Sequence, residues 1–163
     1  MADQAVISSL TSSMNSYYRA AAQYDSAATT AQNNINSLTI DRDKKVKNKQ
    51  KVDAVNGRLG ELDQKDETIE NDLSFLADGA CTQLDDDGAR SGLKQINDNN
   101  AGHISAAKSA ASALSQKLQD EIDALNQSIA TETTARDNAQ RNAASARSSA
   151  ASCSAAIARE QAS

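Results

Sequence analysis

Hydrophobic residues between Val52 and Leu76 recur at alternating steps of three and four positions, with Asp66 as the one polar interruption. The row therefore stays on one side of a helix for about 25 residues, or roughly 37 Å. A helix with so narrow an apolar stripe is stabilised by burying that stripe against another helix. The pattern predicts a coiled-coil-like contact. The predicted seam residues of this stretch are Val52, Val55, Leu59, Leu62, Ile69, Leu73 and Leu76.

The same stripe extends toward the N-terminus. Counting back by sevens from Val52 passes through Lys45 and reaches apolar or aromatic residues at nearly every step. The weakest stretch is 40–51, where Asp41, Lys45 and Asn48 fall on seam positions. No Gly or Pro interrupts it, so we expect one continuous helix, with a bend as the alternative. The seam residues predicted in the first segment are Leu10, Tyr17, Tyr24 and Leu38.

The periodicity stops in the stretch 78–88, where turn-forming and helix-capping residues gather. This pattern predicts a reversal of the chain. The predicted turn residues are Gly79, Cys81, Leu84 and Gly88.

A second helical stripe follows the turn and then becomes alanine-rich, through Ala139, Ala143, Ala146 and Ala150. If the second helix runs back along the first, the alanines lie beside the segment 10–31, whose tyrosines supply bulk opposite small residues. The seam residues predicted in the second helix are Leu93, Ile96, Ile104, Leu114, Leu118, Ile122, Leu125 and Ile129; Asn100, Ala107 and Ala111 lie on the same stripe.

These patterns predict an all-α protein, a long antiparallel two-helix hairpin in a single domain 1–163. We expect a helix over about 3–77, a turn over about 78–90 and a helix over about 91–160. The composition agrees, since the chain has no Pro, no Trp and 2% aromatic residues. A two-helix seam with polar interruptions is marginally stable, so a dimer that pairs hairpins into a four-helix assembly is expected.

The charge balance argues against nucleic acid as a partner. The net charge is -5, and the basic run 44–51 directly follows Asp41 and Asp43. No apolar run approaches the length of a membrane span, and the N-terminal residues do not resemble a cleaved signal peptide. We expect a protein partner, no stable membrane insertion, and a cytoplasmic location or export without a cleaved signal.

Candidate chemistry is sparse, and we expect neither an enzyme nor a cofactor or metal. His103 has no second histidine or cysteine at ligand spacing. The acidic run 85–87 before Gly88 resembles a calcium loop, but that alignment puts Lys94 where a bidentate Glu is required. No serine lies in a nucleophile elbow, and no phosphate-binding glycine loop occurs.

Three of four small residues in the pattern allow two interpretations each. Gly57 and Gly60 lie within the strongest heptads, either as tolerated glycines or as points of close backbone approach. Cys153 fits a small seam residue, whereas Cys81 fits a loop thiol, incidental or paired with another chain. The predicted fold places the two cysteines too far apart for an intrachain disulfide.

The N-terminal helix, the glycine just before the second helix and the Ser-, Asn- and Gln-rich return helix, over roughly residues 50–130, resemble the small helical-hairpin proteins of bacterial type VII secretion. These are the WXG-type proteins and the proteins encoded beside LXG toxins. The chain has Leu84 to Ala89 where that family has its Trp-x-Gly turn, and Tyr17, Tyr18 and Tyr24 lack the acid that follows four residues later in the export signal. The resemblance implies a non-enzymatic partner, homodimeric or heterodimeric, that escorts or is co-exported with a larger substrate.

Three functions thus stay open from the sequence. The first is a helical interaction protein of the secretion-partner or chaperone-like kind. The second is a structural coiled-coil rod element of a phage or cell surface. The third is a membrane-interacting helical toxin component, although the chain lacks the apolar hairpin that such proteins insert.

Overall fold

The computed structural model describes residues 3–78 and 87–162, and the side-chain surroundings of residues 3–72, 92 and 94–162. Helix α1 spans Gln4–Asp78 and helix α2 spans Asp87–Ala162. The two helices pack against each other as a hairpin, and the described residues contain no strand. This confirms the predicted all-α hairpin.

The predicted helix bounds differ from the observed ones mainly at the start of α2. That helix begins at Asp87 rather than at about residue 91, so Gly88 lies in its first turn. The other predicted turn residues, Gly79, Cys81 and Leu84, lie outside the described residues. So do the side-chain surroundings of Leu73, Leu76 and Leu93.

Asp3 caps the start of α1. Its Oδ1 accepts hydrogen bonds from the backbone N–H of Ala5 at 2.9 Å and of Val6 at 3.3 Å, which satisfies donors that lack partners in the first turn. From there α1 continues without a break through 40–51, as expected for a stretch lacking Gly and Pro.

The chain divides into two compact units. The terminal unit comprises Met1–Arg42 with Ala124–Ser163, and the inner unit comprises Asp43–Asp123. In each unit a segment of α1 runs antiparallel to a segment of α2.

Cross-helix contacts establish the antiparallel pairing in the terminal unit. The backbone N–H of Asp3 donates to Oε1 of Glu160 at 3.0 Å, and Arg147 forms an ion pair with Asp25. Farther along α1, Asn34 donates to Glu132 at 3.2 Å. The rising α1 numbers meet falling α2 numbers, as in a hairpin.

The core of the terminal unit consists of alanines. Ala143 and Ala150 are 1% and 0% exposed, whereas Tyr17 and Tyr24 are 40% and 38% exposed. The alanine tail therefore lies along the first segment of α1, as predicted, but the buried positions on both helices are alanines, whereas the two tyrosines stay more than a third exposed. The buried alanines of this unit are Ala21, Ala28, Ala31, Ala139, Ala143, Ala146 and Ala150.

The seam of the inner unit is partly polar. Asn56 donates to Ser112 at 3.3 Å, and Lys108 forms an ion pair with Asp63 at 2.6 Å. Ile122 is buried there, and Val52 and Leu59 are half-buried.

The prediction that Val55, Leu62 and Ile69 pack between α1 and α2 is wrong. These residues are 51%, 48% and 50% exposed. The buried or half-buried positions of this stretch fall four residues after Val52 and Leu59, at Asn56 and Asp63, rather than three residues after them.

Two registers are possible on this stretch of α1, and Val52 and Leu59 belong to both. In one register the next seam residue lies three positions after each of them, and in the other it lies four positions after. Hydrophobicity favours the register with a step of three. However, Asn56 and Asp63 find hydrogen-bonding partners on α2, which offsets the cost of placing polar groups in the seam.

Two of the predicted seam residues on α2 are exposed as well. Ile96 and Leu114 are exposed, at 59% and 47%, and Asn100 is exposed as well. The contact with α1 instead uses Asn97, which is buried, and Ser115, which is half-buried. The remaining described predicted positions on α2 are buried or half-buried, namely Ile104, Ala107, Ala111, Leu118, Ile122, Leu125 and Ile129.

Candidate interaction surface

An exposed line of large hydrophobic side chains runs along α1 in the inner unit. We call it the apolar row, and it consists of Val55, Leu62 and Ile69. One heptad separates each member from the next, so all three lie on the same side of α1 and span about 21 Å. Water covers about half of each side chain, which is unfavourable for three large apolar groups in register.

A shallow groove between α1 and α2 adjoins the first member of the row. Lys51, Val52 and Val55 line it from α1. Ala110, Ala111 and Leu114 line it from α2. The exposed Leu114 therefore lies on the same face of the hairpin as the apolar row, and the small alanines leave a depression between the two helices.

Positive charge flanks this face. Lys51, Arg58 and Lys65 repeat at the same heptad spacing, each four residues before a member of the apolar row, and all three are exposed. We call them the basic row. Within residues 3–72 and 94–162, none of the three takes part in an ion pair.

The opposite side of α1 in the inner unit carries polar or small residues. Asp53, Gly60 and Glu67 share one row at heptad spacing there. Hydrogen bonds to Asp53 from Lys49 at 2.8 Å and from Ser115 at 2.5 Å occupy this side. Along α1 of the inner unit, the apolar row and the basic row thus lie on one side, and a row of two acidic residues and a glycine lies on the other.

Two carboxylates of the inner unit are held in their charged form. Hydrogen bonds from Lys49 and Ser115 lower the pKa of Asp53. A 2.5 Å hydrogen bond from Lys45, followed by the charges of Lys45 and then Lys117, lowers the pKa of Glu121. These groups fix the side chains across the helix contact.

The surroundings of the glycines in α1 are open. A Cβ built on Gly57 or Gly60 would meet no atom within 4 Å. Close approach of another backbone within the described chain is therefore not the reason for either glycine.

Among the described residues, no group of three or more His, Cys, Asp or Glu side chains could hold a metal ion. His103 is exposed on α2, and Cys153 is a half-buried free thiol. Within the same ranges, neither helix offers a stretch that is both long and apolar enough to cross a membrane.

Sequence reasoning missed the polar half of the helix contact. Asn97 is 7% exposed, and among the described residues it is the one buried polar side chain. It lies four residues before Ala101, and the buried or half-buried positions continue from it in steps of four and three along the rest of α2. Hydrophobicity does not mark this stripe, because Lys108 and Ser115 also lie on it.

Comparison of the chain with known protein families, with curated proteins and with solved structures finds no match.

Proposed function

We propose that this protein is a non-enzymatic helical interaction protein whose inner unit pairs with another helical segment to form a four-helix assembly. The observation that carries the proposal is the apolar row, which α2 leaves half exposed. Covering three large side chains in heptad register is what a further helix in a coiled-coil-like contact does.

The biological setting that we propose is escort or co-export of a larger protein in a type VII-like secretion system. The support for this setting is the sequence resemblance to WXG-type and LXG-associated proteins, together with the two-helix hairpin that such a resemblance implies.

A structural role is the second candidate. Helices of 75 and 76 residues favour it, because in a coiled-coil spacer the length of the helices is itself the function.

Site-specific photo-crosslinking in the native host tests the pairing. A photoreactive amino acid replaces Leu62 in the apolar row, and the matched control places it at Ala54, which is exposed on α1 outside that row. We expect crosslinks from position 62 to a helical segment of a second chain, mapped by mass spectrometry, and none above background from position 54. Equal crosslinking from both positions would contradict the proposal.

The escort role is tested by deleting the gene. We expect the crosslinked partner to disappear from the culture medium while its synthesis in the cell continues. Unchanged export would remove the escort role, and crosslinks to copies of this chain alone would favour the structural one.

A further inference from the structure

The face that holds the apolar row also has a distinct charge pattern, and this pattern constrains what can cover it. The basic row lies along its α1 edge, with Lys51 lining the groove beside Val55. On the α2 edge Lys117 is exposed and lies three residues after Leu114. Three positive groups therefore border the apolar centre on α1, and on α2 one does, with Glu121 four residues after it.

Two acidic groups near this face are engaged or lie inside the hairpin, and two others, Glu61 and Asp72, are exposed beside the basic row. Glu121 accepts its hydrogen bond from Lys45. Asp66 is half-buried between the helices. The exposed lysines and arginine of the basic row form no ion pair with Glu61 or Asp72 within the described part of the chain.

A second copy of the chain is a poor occupant for this face. Face-to-face pairing of α1 with α1 of a second copy would place the basic row against another basic row, and like charges in apposition are unfavourable. Pairing with the opposite side of a second copy would set the apolar row against Asp53, Gly60 and Glu67, which offer no large apolar surface.

We propose that the apolar row and the basic row together form a docking site for an amphipathic helix of a different protein, one whose apolar stripe is flanked by Asp or Glu at heptad spacing. This inference rests on the proposed pairing function and specifies the partner's chemistry. Ridge-into-groove packing at Val55 and Leu114 positions the helix, and the lysines and arginine select its charge.

An anionic membrane would also attract an apolar surface bordered by positive charge. The helix fits the observations better, since the depression between α1 and α2 is concave and the apolar row follows a strict heptad. The experiment includes the membrane as an outcome.

The probes are three fluorescent helical peptides of about four heptads. They share one leucine stripe and carry Glu, Gln or Lys at every flanking position. Fluorescence anisotropy with the full-length protein at low salt should show the Glu peptide binding about tenfold more tightly than the Gln peptide, and the Lys peptide most weakly. Added salt should reduce the difference between the peptides.

Substitutions in the basic row and in the apolar row test the contribution of each row to peptide binding. The triple variant K51E/R58E/K65E should reverse the order of the three peptides. Ile69→Ser should weaken all binding about tenfold or more. Its matched control is Ile40→Ser, which removes an equally exposed isoleucine, 56% against 50%, outside the row.

Several results would overturn the inference. Equal affinity for the three peptides removes the charge selection. If the protein binds phosphatidylserine vesicles but no peptide, and Ile69→Ser abolishes the vesicle binding, the occupant is a membrane. If the protein self-associates and Ile69→Ser abolishes this, the occupant is a second copy and the proposed pairing function stands. If the protein stays monomeric and binds neither peptides nor vesicles, both this inference and the proposed pairing function are overturned.

Discussion

Single side chains decide the local stability of α1, and Gly57 and Gly60 are the clearest examples. Both lie inside the helix with open space where a Cβ would point. Glycine in a helix interior costs up to about 1 kcal/mol relative to alanine because the unfolded chain loses more freedom on folding.

We therefore expect Gly60→Ala to raise the free energy of unfolding by about 0.5 to 1 kcal/mol, measured by urea denaturation. Gly57→Ala should give a similar gain. A loss of stability in either variant would show that another backbone does approach this side of α1.

Two charged side chains make the stability of the folded protein depend on pH. Asp53 and Glu121 have lowered pKa values in the folded protein because Lys49 and Lys45 donate hydrogen bonds to them. The folded state then binds fewer protons than the unfolded state, so stability is full above the unfolded pKa and is lost as pH falls through the folded pKa.

We expect thermal stability to decline as pH falls from about 5 to about 3, and the decline to be shallower in D53N/E121Q. Melting temperatures followed by circular dichroism at each pH provide the measurement. An identical pH slope in the variant would contradict the assigned contacts.

At the scale of the helices, the terminal unit depends on close contact between alanine surfaces. Ala150 is fully buried, and Ala151 beside it on α2 is exposed. Small side chains let the two backbones approach closely, which leaves no room for a larger group.

Ala150→Leu should therefore destabilise the protein by about 1 to 3 kcal/mol through overpacking, whereas Ala151→Leu should change stability by less than about 0.5 kcal/mol. Chemical denaturation of the pair measures both changes. Equal effects at the two positions would mean that the helices are not in close contact there.

The sequence predicts the elements better than it predicts the contact between them. The heptad pattern and the absence of Pro were sufficient for α1, α2 and the antiparallel hairpin. The side of α1 that faces α2 was not predictable from hydrophobicity, because Val52 and Leu59 belong to two possible seams. Polar contacts across the helices, such as that of Asn56 with Ser112, distinguish the seams, and sequence periodicity does not show them.

At the scale of the whole molecule, α1 carries more apolar surface than its own hairpin covers. One line, with Val52 and Leu59, packs toward α2, and the apolar row stays exposed. The proposed pairing and its charge selection both follow from this division.

The most direct test of that division compares Leu59→Ser with Leu62→Ser, two equal substitutions three residues apart on α1, by urea denaturation at low protein concentration. Both changes alter helix propensity equally, so burial alone separates them. Because Leu59 packs toward α2 and Leu62 stays exposed, Leu59→Ser should lower the free energy of unfolding by about 1 kcal/mol more than Leu62→Ser does. An equal loss, or a larger loss for Leu62→Ser, would show that the apolar row belongs to the hairpin seam and is not available to a partner.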